Sequence, residues 1–138
     1  MKRREVVTAF LRNGGEILLV RRSDKVGSYQ GHWSAISGYL EDPTPLEQVQ
    51  REIREETGLS DAEVRLVQTG EPIVARDHKM DVCWVVHPFL FEIDNREAAR
   101  LDWENTELRW VKPEEIDQFS TVPKLLEALH NCLGEDDG

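Results

Sequence analysis

Hydrophobic residues in this chain mostly run in short blocks suited to strands, and two stretches instead space them at helical intervals. Val6, Val7, Ala9, Phe10 and Leu11 predict a first strand, Asn13-Gly14-Gly15 a turn, and Glu16 to Arg21 a second strand, so the chain opens with a hairpin. Gly27 to Ser34 reads as a loop entering a short strand. Glu63 to Val67 predicts a strand, and Glu71 to Val74 part of another, with Gly70 between them. Met80 to Ile93 is the most apolar segment, and Val82 to Val86 run without alternation, as in a strand covered on both faces. Pro88 cannot donate to a ladder and predicts a bulge or break there. Asp94 to Arg100 is polar and predicts a loop; Glu104 lies in a loop leading into a strand through Trp110-Val111. Pro113 to Ile116 predicts a helix start, and Val122 to Cys132 an amphipathic helix with Leu125, Leu126 and Leu129 inward.

The other helical stretch has a defined start and stop. Thr44 is a good N-cap, Pro45 suits the first helical position, and Glu47 completes a T-x-x-E capping box. Leu46, Val49 and Ile53 form a stripe to be buried, and Gly58 can take the left-handed conformation that ends a helix, which predicts Pro45 to Thr57. Glu52, Glu55 and Glu56 then share an arc beside the stripe, because residues three and four apart are neighbours on a helix. Like charges so placed repel. A solvated acidic face is the ordinary explanation, and a hard divalent cation with oxygen ligands is the functional one.

Composition narrows the choice. The 138 residues predict one domain, 1–133, followed by a disordered acidic tail, 134–138. A net charge of −10, from 17 basic and 27 acidic residues, argues against nucleic acid and against an anionic membrane, since both require basic surface. Cys83 and Cys132 form neither a CxxC motif nor a disulfide framework, and the start of the chain has no signal-like apolar region, so a reduced, cytoplasmic protein is expected. No apolar run reaches the length of a membrane span.

The string Arg51-Glu52-Ile53-Arg54-Glu55-Glu56-Thr57-Gly58-Leu59 resembles the Nudix box, G-x5-E-x7-R-E-U-x-E-E-x-G-U, where U is aliphatic. Every specified position from Arg51 to Leu59 matches. The first half departs: Ile36-Ser37-Gly38-Tyr39-Leu40-Glu41 lies on the family's P-G-G-x-x-E lead-in only if the loop is one residue short. Gly38 and Glu41 then match, while Pro43 occupies or adjoins the place of the first box Glu. Gly31-His32-Trp33 stands where the family carries G-x-W, and Glu104 to Val111 is similar to its late E-x5-W-V element.

This resemblance covers nearly the whole chain and implies an α/β/α sandwich with a mixed sheet between helices. It implies Mg²⁺- or Mn²⁺-dependent hydrolysis of a phosphoanhydride in a small-molecule nucleoside diphosphate derivative, ADP-ribose-like or a nucleoside triphosphate. Glu52, Glu55 and Glu56 would hold metal, with Glu55 also a candidate base. Arg51 would steady the carboxylates through Glu47 and Glu55, and Glu104 or Glu41 would complete the catalytic set. Arg22, Trp33 and Gly38 are substrate-binding candidates, Arg22 because basic residues at a strand end, with Arg21 and Lys25, can meet a pyrophosphate. For Trp33 a core position is the competing reading. Pro72 lies slightly too close to the box for the proline that marks ADP-ribose hydrolases, and the strings His87 to Phe91 and Asp102-Trp103-Glu104 look like a Nudix group tied to nucleotide-ribose metabolism. The alternatives are a Nudix-fold module that senses a nucleotide without cleaving it, favoured by the missing first Glu, and an isopentenyl diphosphate isomerase, disfavoured because Cys83 lies far downstream of the box. The only macromolecular partner left open is a second copy, as a homodimer.

Overall fold

The computed structural model describes residues 1–133; the expected acidic tail lies outside the described residues. Two twelve-residue strands, β1 (Lys2–Asn13) and β7 (Val82–Ile93), run parallel at the centre, from Lys2 opposite Val82 to Arg12 opposite Glu92. The remaining pairings of the eight-stranded sheet are antiparallel. The first part of β1 pairs with β4 (Ile36–Tyr39), and its tip turns through Gly14-Gly15 into β2 (Glu16–Arg22). Outside β2 lie β3 (Trp33–Ser34) and β8 (Asn105–Val111). On the far side of β7, β5 (Val64–Thr69) and β6 (Ile73–Asp77) follow one another along the same edge.

That handover explains Pro88. The strand does not break at the proline, contrary to expectation. β6 pairs as far as Val86 and β5 begins at Phe89, so the missing N–H falls where neither neighbour needs a donor, and the Pro88 carbonyl still accepts from Gly70 N at 2.9 Å. The irregularity is displaced onto β5, between Leu66 and Gln68.

Helix α1 (Pro45–Thr57) begins and ends where its caps predict: Thr44 Oγ1 accepts from Glu47 N at 3.2 Å, and Gly58, at φ 76°, returns its N–H to the Arg54 carbonyl. Alternation along the strands separates two cores. Val7, Ala9 and Leu11 of β1, with Phe89 and Phe91 of β7, pack with Val49 and Ile53 of α1. Phe10 and Leu90 face the other way, onto Leu125, Ala128 and Leu129 of α2 (Leu125–Leu133). The arrangement is an α/β/α sandwich. Three helical expectations need correction. Leu46 stays 36% exposed, its place on the inward stripe taken by the wholly buried Gln48. Pro113–Gln118 closes only as a 3₁₀ turn, and α2 starts at Leu125, after Lys124 at φ 65° interrupts the chain. Among the described residues no helix is long and apolar enough to cross a membrane.

The short α2 has a consequence for the site. Nine helical residues span about 14 Å, whereas a twelve-residue strand spans about 40 Å. One face of the sheet is therefore open toward the beginnings of β1 and β7, where Val6, Thr8, Trp84 and Val86 line a cleft.

Candidate active site

Polar side chains interrupt the inward stripe of α1 at intervals of one turn: Gln48, Glu52 and Glu56 stack at i, i+4 and i+8, all buried. Glu104 joins them from the loop before β8. Its carbonyl accepts from Ser23 N at 2.8 Å and its N–H donates to Asp102 Oδ1 at 3.0 Å, which ties that loop to the end of β2. One oxygen from each of Glu52, Glu56 and Glu104 lies within 4.8 Å of the others. β4 approaches so closely that a Cβ on Gly38 would overlap the Glu52 carboxyl group, so only glycine leaves that carboxylate where it stands.

Burial dominates the electrostatics. It pushes Glu56 well above the usual carboxylate range, with Glu104 and Glu52 adding repulsion. Burial likewise raises Glu52, and raises Glu104 to about 7, with Asp102 and Glu52 next in effect. Two like charges about 5 Å apart at an effective dielectric near 20 repel by roughly 3 kcal/mol, far more than an exposed helical pair. Glu56 Oε1 accepts from Asn105 Nδ2 at 3.2 Å, while the buried Oε2 has no donor. An all-oxygen set with an unpartnered buried carboxylate oxygen suits Mg²⁺ or Mn²⁺. Glu52, Glu56 and Glu104 are the residues that would hold it.

Beside this cluster the cleft encloses about 320 Å³. It shares Gly38, Tyr39, Trp103 and Glu104 with an acidic hollow that also takes in Glu41, Glu55 and Asp102, so the two form one groove. Its aromatic wall is wired: Trp84 Nε1 donates to Tyr29 Oη at 2.9 Å, and Tyr29 donates to Asp77 Oδ2 at 2.6 Å. Burial, then the bond to Asp77, lifts the Tyr29 phenol to about 12, so it remains a donor. Tyr39 extends the wall, 6.2 Å from Trp84 between ring centres, and Trp103 stands 61% exposed at the mouth. Thr8, Ser34 and Ser37 also line the cleft.

The expected site residues separate into groups. Arg22 lines the cleft with Lys25; its Nε donates to Ser28 O at 2.9 Å, and burial lowers its pKa against the pull of Glu56 and Glu104. Arg21 turns away to Gly31 O and Glu107. Trp33 is not among the cleft-lining residues. β3 presents Ser34 there, and the Trp33 ring lies edge-on to Phe119 at 5.3 Å with the Arg109 guanidinium above it, in the α2 core. Glu55 and Glu41 stand at the rim, their side chains 58% and 71% exposed, outside the tight cluster. Arg51 does not reach Glu47, which is held by Thr44; it pairs with Asp42 at 3.2 Å, Glu41 at 3.4 Å and Glu55 at 4.0 Å. Sequence reasoning passed over Gln48, Asn105 and the wall of Tyr29, Tyr39 and Trp84. A polar residue one turn before Glu52 on a buried stripe was the available signal for Gln48.

The family described as NUDIX domain matches residues 1–132. The CTP pyrophosphohydrolase of Escherichia coli (strain K12) is 29% identical over 134 residues, spanning 94% of this chain and 93% of its own. The MutT protein from Methanosarcina mazei Go1 superposes with a TM-score of 0.81 at 23% identity, over 99% of this chain and 97% of that one. The NUDIX domain of Shewanella oneidensis NrtR, crystallised with ADP ribose, gives 0.73 at 17% identity, over 100% of this chain and 90% of its own.

Proposed function

This chain belongs to the Nudix family, and from that premise we propose that it is a divalent-metal-dependent pyrophosphohydrolase. Its substrate is a nucleoside diphosphate linked to another group, such as a nucleoside triphosphate or an ADP-ribose-like molecule. The observation that carries this reading is the convergence of Glu52, Glu56 and Glu104 within 4.8 Å beside an aromatic cleft. A bound divalent cation supplies charge neutralisation at the phosphoryl group and lowers the pKa of coordinated water. Arg22 and Lys25 meet the phosphate oxygens from the cleft side, and the nucleoside enters between the aromatic walls. Glu104, on the lining of both the acidic hollow and the cleft, would take the proton: the water oxygen bonds phosphorus, the bridging P–O bond breaks, and the water proton passes to the carboxylate. Arg51 holds Asp42 and Glu41 at the rim, so that the shortened loop keeps its place beside α1.

The test is a screen of nucleoside triphosphates, ADP-ribose and dinucleoside polyphosphates with Mg²⁺, scoring nucleoside monophosphate release. The CTP pyrophosphohydrolase relative makes CTP the first compound to try. A second reading, a module that binds nucleotide without cleaving it, is favoured by Pro43 in or beside the place of the first box Glu and by the exposure of Glu41. Nucleotide binding with no turnover on any member of the screen decides for it.

A further inference from the structure

We infer that Gln48 is a positioning residue that takes over the work of the shortened loop, holding the Glu52 carboxylate and the loop backbone in one hydrogen-bonded unit. This rests on Glu52 being a metal ligand, as proposed above.

Gln48 is 0% exposed, a costly place for a primary amide unless its bonds are made. They are made. Oε1 accepts from Glu41 N at 2.7 Å and Asp42 N at 2.8 Å, with Arg51 Nη2 at 3.4 Å, and Nε2 donates to Glu52 Oε2 at 2.8 Å. The amide has one workable orientation. Turning it over would set its NH₂ against two backbone N–H donors and its oxygen against a carboxylate. Glu52 is thereby held from two sides, by the Gln48 amide and by the bare Cα of Gly38, and the loop that lacks the family's first Glu is drawn onto the same amide. Outer partners of this kind, when removed, cost about 10- to 100-fold in metal affinity or activity.

The test replaces Gln48 by methionine, similar in volume and unable to make any of these bonds. Mn²⁺ binding to the nucleotide-free chain is followed by electron paramagnetic resonance, alongside kcat, KM and melting temperature. Q48M is expected to bind Mn²⁺ at least about tenfold more weakly and to lose kcat by a similar factor, with KM for the nucleotide within about threefold of wild type. A purely structural role would lower the melting temperature and leave Mn²⁺ affinity unchanged well below it. Mn²⁺ affinity and kcat both within twofold of wild type overturn the inference. If Q48M does not fold, the wild-type chain decides by NMR. Adding Mg²⁺ should shift the Gln48 side-chain amide protons and leave those of the exposed Gln68 in place; unmoved and freely exchanging Gln48 protons overturn the inference. Because metal binding is read without turnover, a wild type that binds Mn²⁺ but cleaves nothing defeats the hydrolase reading and leaves this one standing.

Discussion

The two ends of the groove are built on opposite plans. At the acidic end the two buried carboxylates have neighbours that fix them, Gly38 and Gln48 for Glu52 and Asn105 for Glu56, and the half-buried Glu104 is held through its backbone by Ser23 and Asp102. At the aromatic end the wall is tied through Asp77, Tyr29 and Trp84 and Arg22 is tied to Ser28, while the hydroxyls of Thr8, Ser34 and Ser37 make no hydrogen bond among the described residues. Charges that repel must be held by surrounding structure, because a misplaced carboxylate in a low-dielectric site costs kcal/mol. A hydroxyl rotor can wait for its partner. Rigidity thus lies at the carboxylate cluster and adaptability at the aromatic cleft, which on the proposed function would receive the nucleoside.

The strongest way to break the contrast is at its most constrained point. Glu56→Gln keeps the shape of the side chain and the acceptor for Asn105 while removing the charge. kcat should fall by about 10² to 10³, the scale of losing one electrostatic group in a reaction centre. The same substitution removes an ionisation that burial and the neighbouring carboxylates disfavour, so melting in chelator should rise or stay level. Steady-state kinetics and calorimetry in EDTA check both signs. A variant that keeps most of its turnover would remove Glu56 from the site.

Gly38→Ala probes the same end through packing. The added methyl would overlap the Glu52 carboxylate, so either Glu52 moves or β4 does. Overpacking of this kind costs about 1–3 kcal/mol, and if Glu52 holds metal as proposed, its displacement should lower kcat by tens of fold and raise the Mg²⁺ concentration needed for half-maximal rate. Chemical denaturation and a Mg²⁺ titration of rate measure the two parts.

These two residues also show what could be read without coordinates. The span of α1 was legible because its determinants are local: Thr44 and Gly58 mark its ends, and a spacing of four aligns Glu52 with Glu56. Gly38 was legible as a motif position, but its reason, the carboxylate filling the space of its missing Cβ, comes from β4 lying against α1. Local pattern misled at Leu46 and Pro88, where inward space and ladder pairing are decided by neighbours far along the chain. Trp33 followed its strand alternation into the core, and the wall that does line the cleft is assembled from Tyr29, Tyr39 and Trp84, whose separations in sequence carry no periodic signal.

A milder test uses pH. Glu104 is raised to about 7 from its ordinary 4.5, and Glu52 and Glu56 are raised in the same direction. Between those two values the folded chain keeps a proton that the unfolded chain has released, so the stability contributed by Glu104 is fully present below 4.5 and is lost as pH rises through 7. Melting temperature in chelator should accordingly drop by a few degrees from pH 5 to pH 8. Saturating Mg²⁺ favours the ionised carboxylates and should flatten the profile, and at about 100 times Kd it adds near 2.7 kcal/mol if only the native state binds. A flat profile in chelator would mean that neither burial nor mutual repulsion raises these carboxylates.

The smallest expected effect lies at the aromatic end, and it sharpens the comparison by being small. Exchanging an amino for a keto group on the base, CTP for UTP, reverses a donor and an acceptor on the edge presented to the cleft. A site that meets such an edge with a fixed donor or acceptor rejects the wrong partner strongly, because a buried polar group is left unpaired. Thr8, Ser34 and Ser37 can each donate or accept by rotating one bond, and Glu104, the carboxylate on the lining, belongs to the acidic cluster. kcat/KM for CTP and UTP should therefore agree within about tenfold, or roughly 1.4 kcal/mol. Stacking against Tyr29, Tyr39 and Trp84 does not depend on the exchanged group, so KM should move little either. A preference of a hundredfold or more would mean that the hydroxyls are locked by groups engaged only when nucleotide binds, and the adaptable end of the groove would then be as rigid as the acidic one.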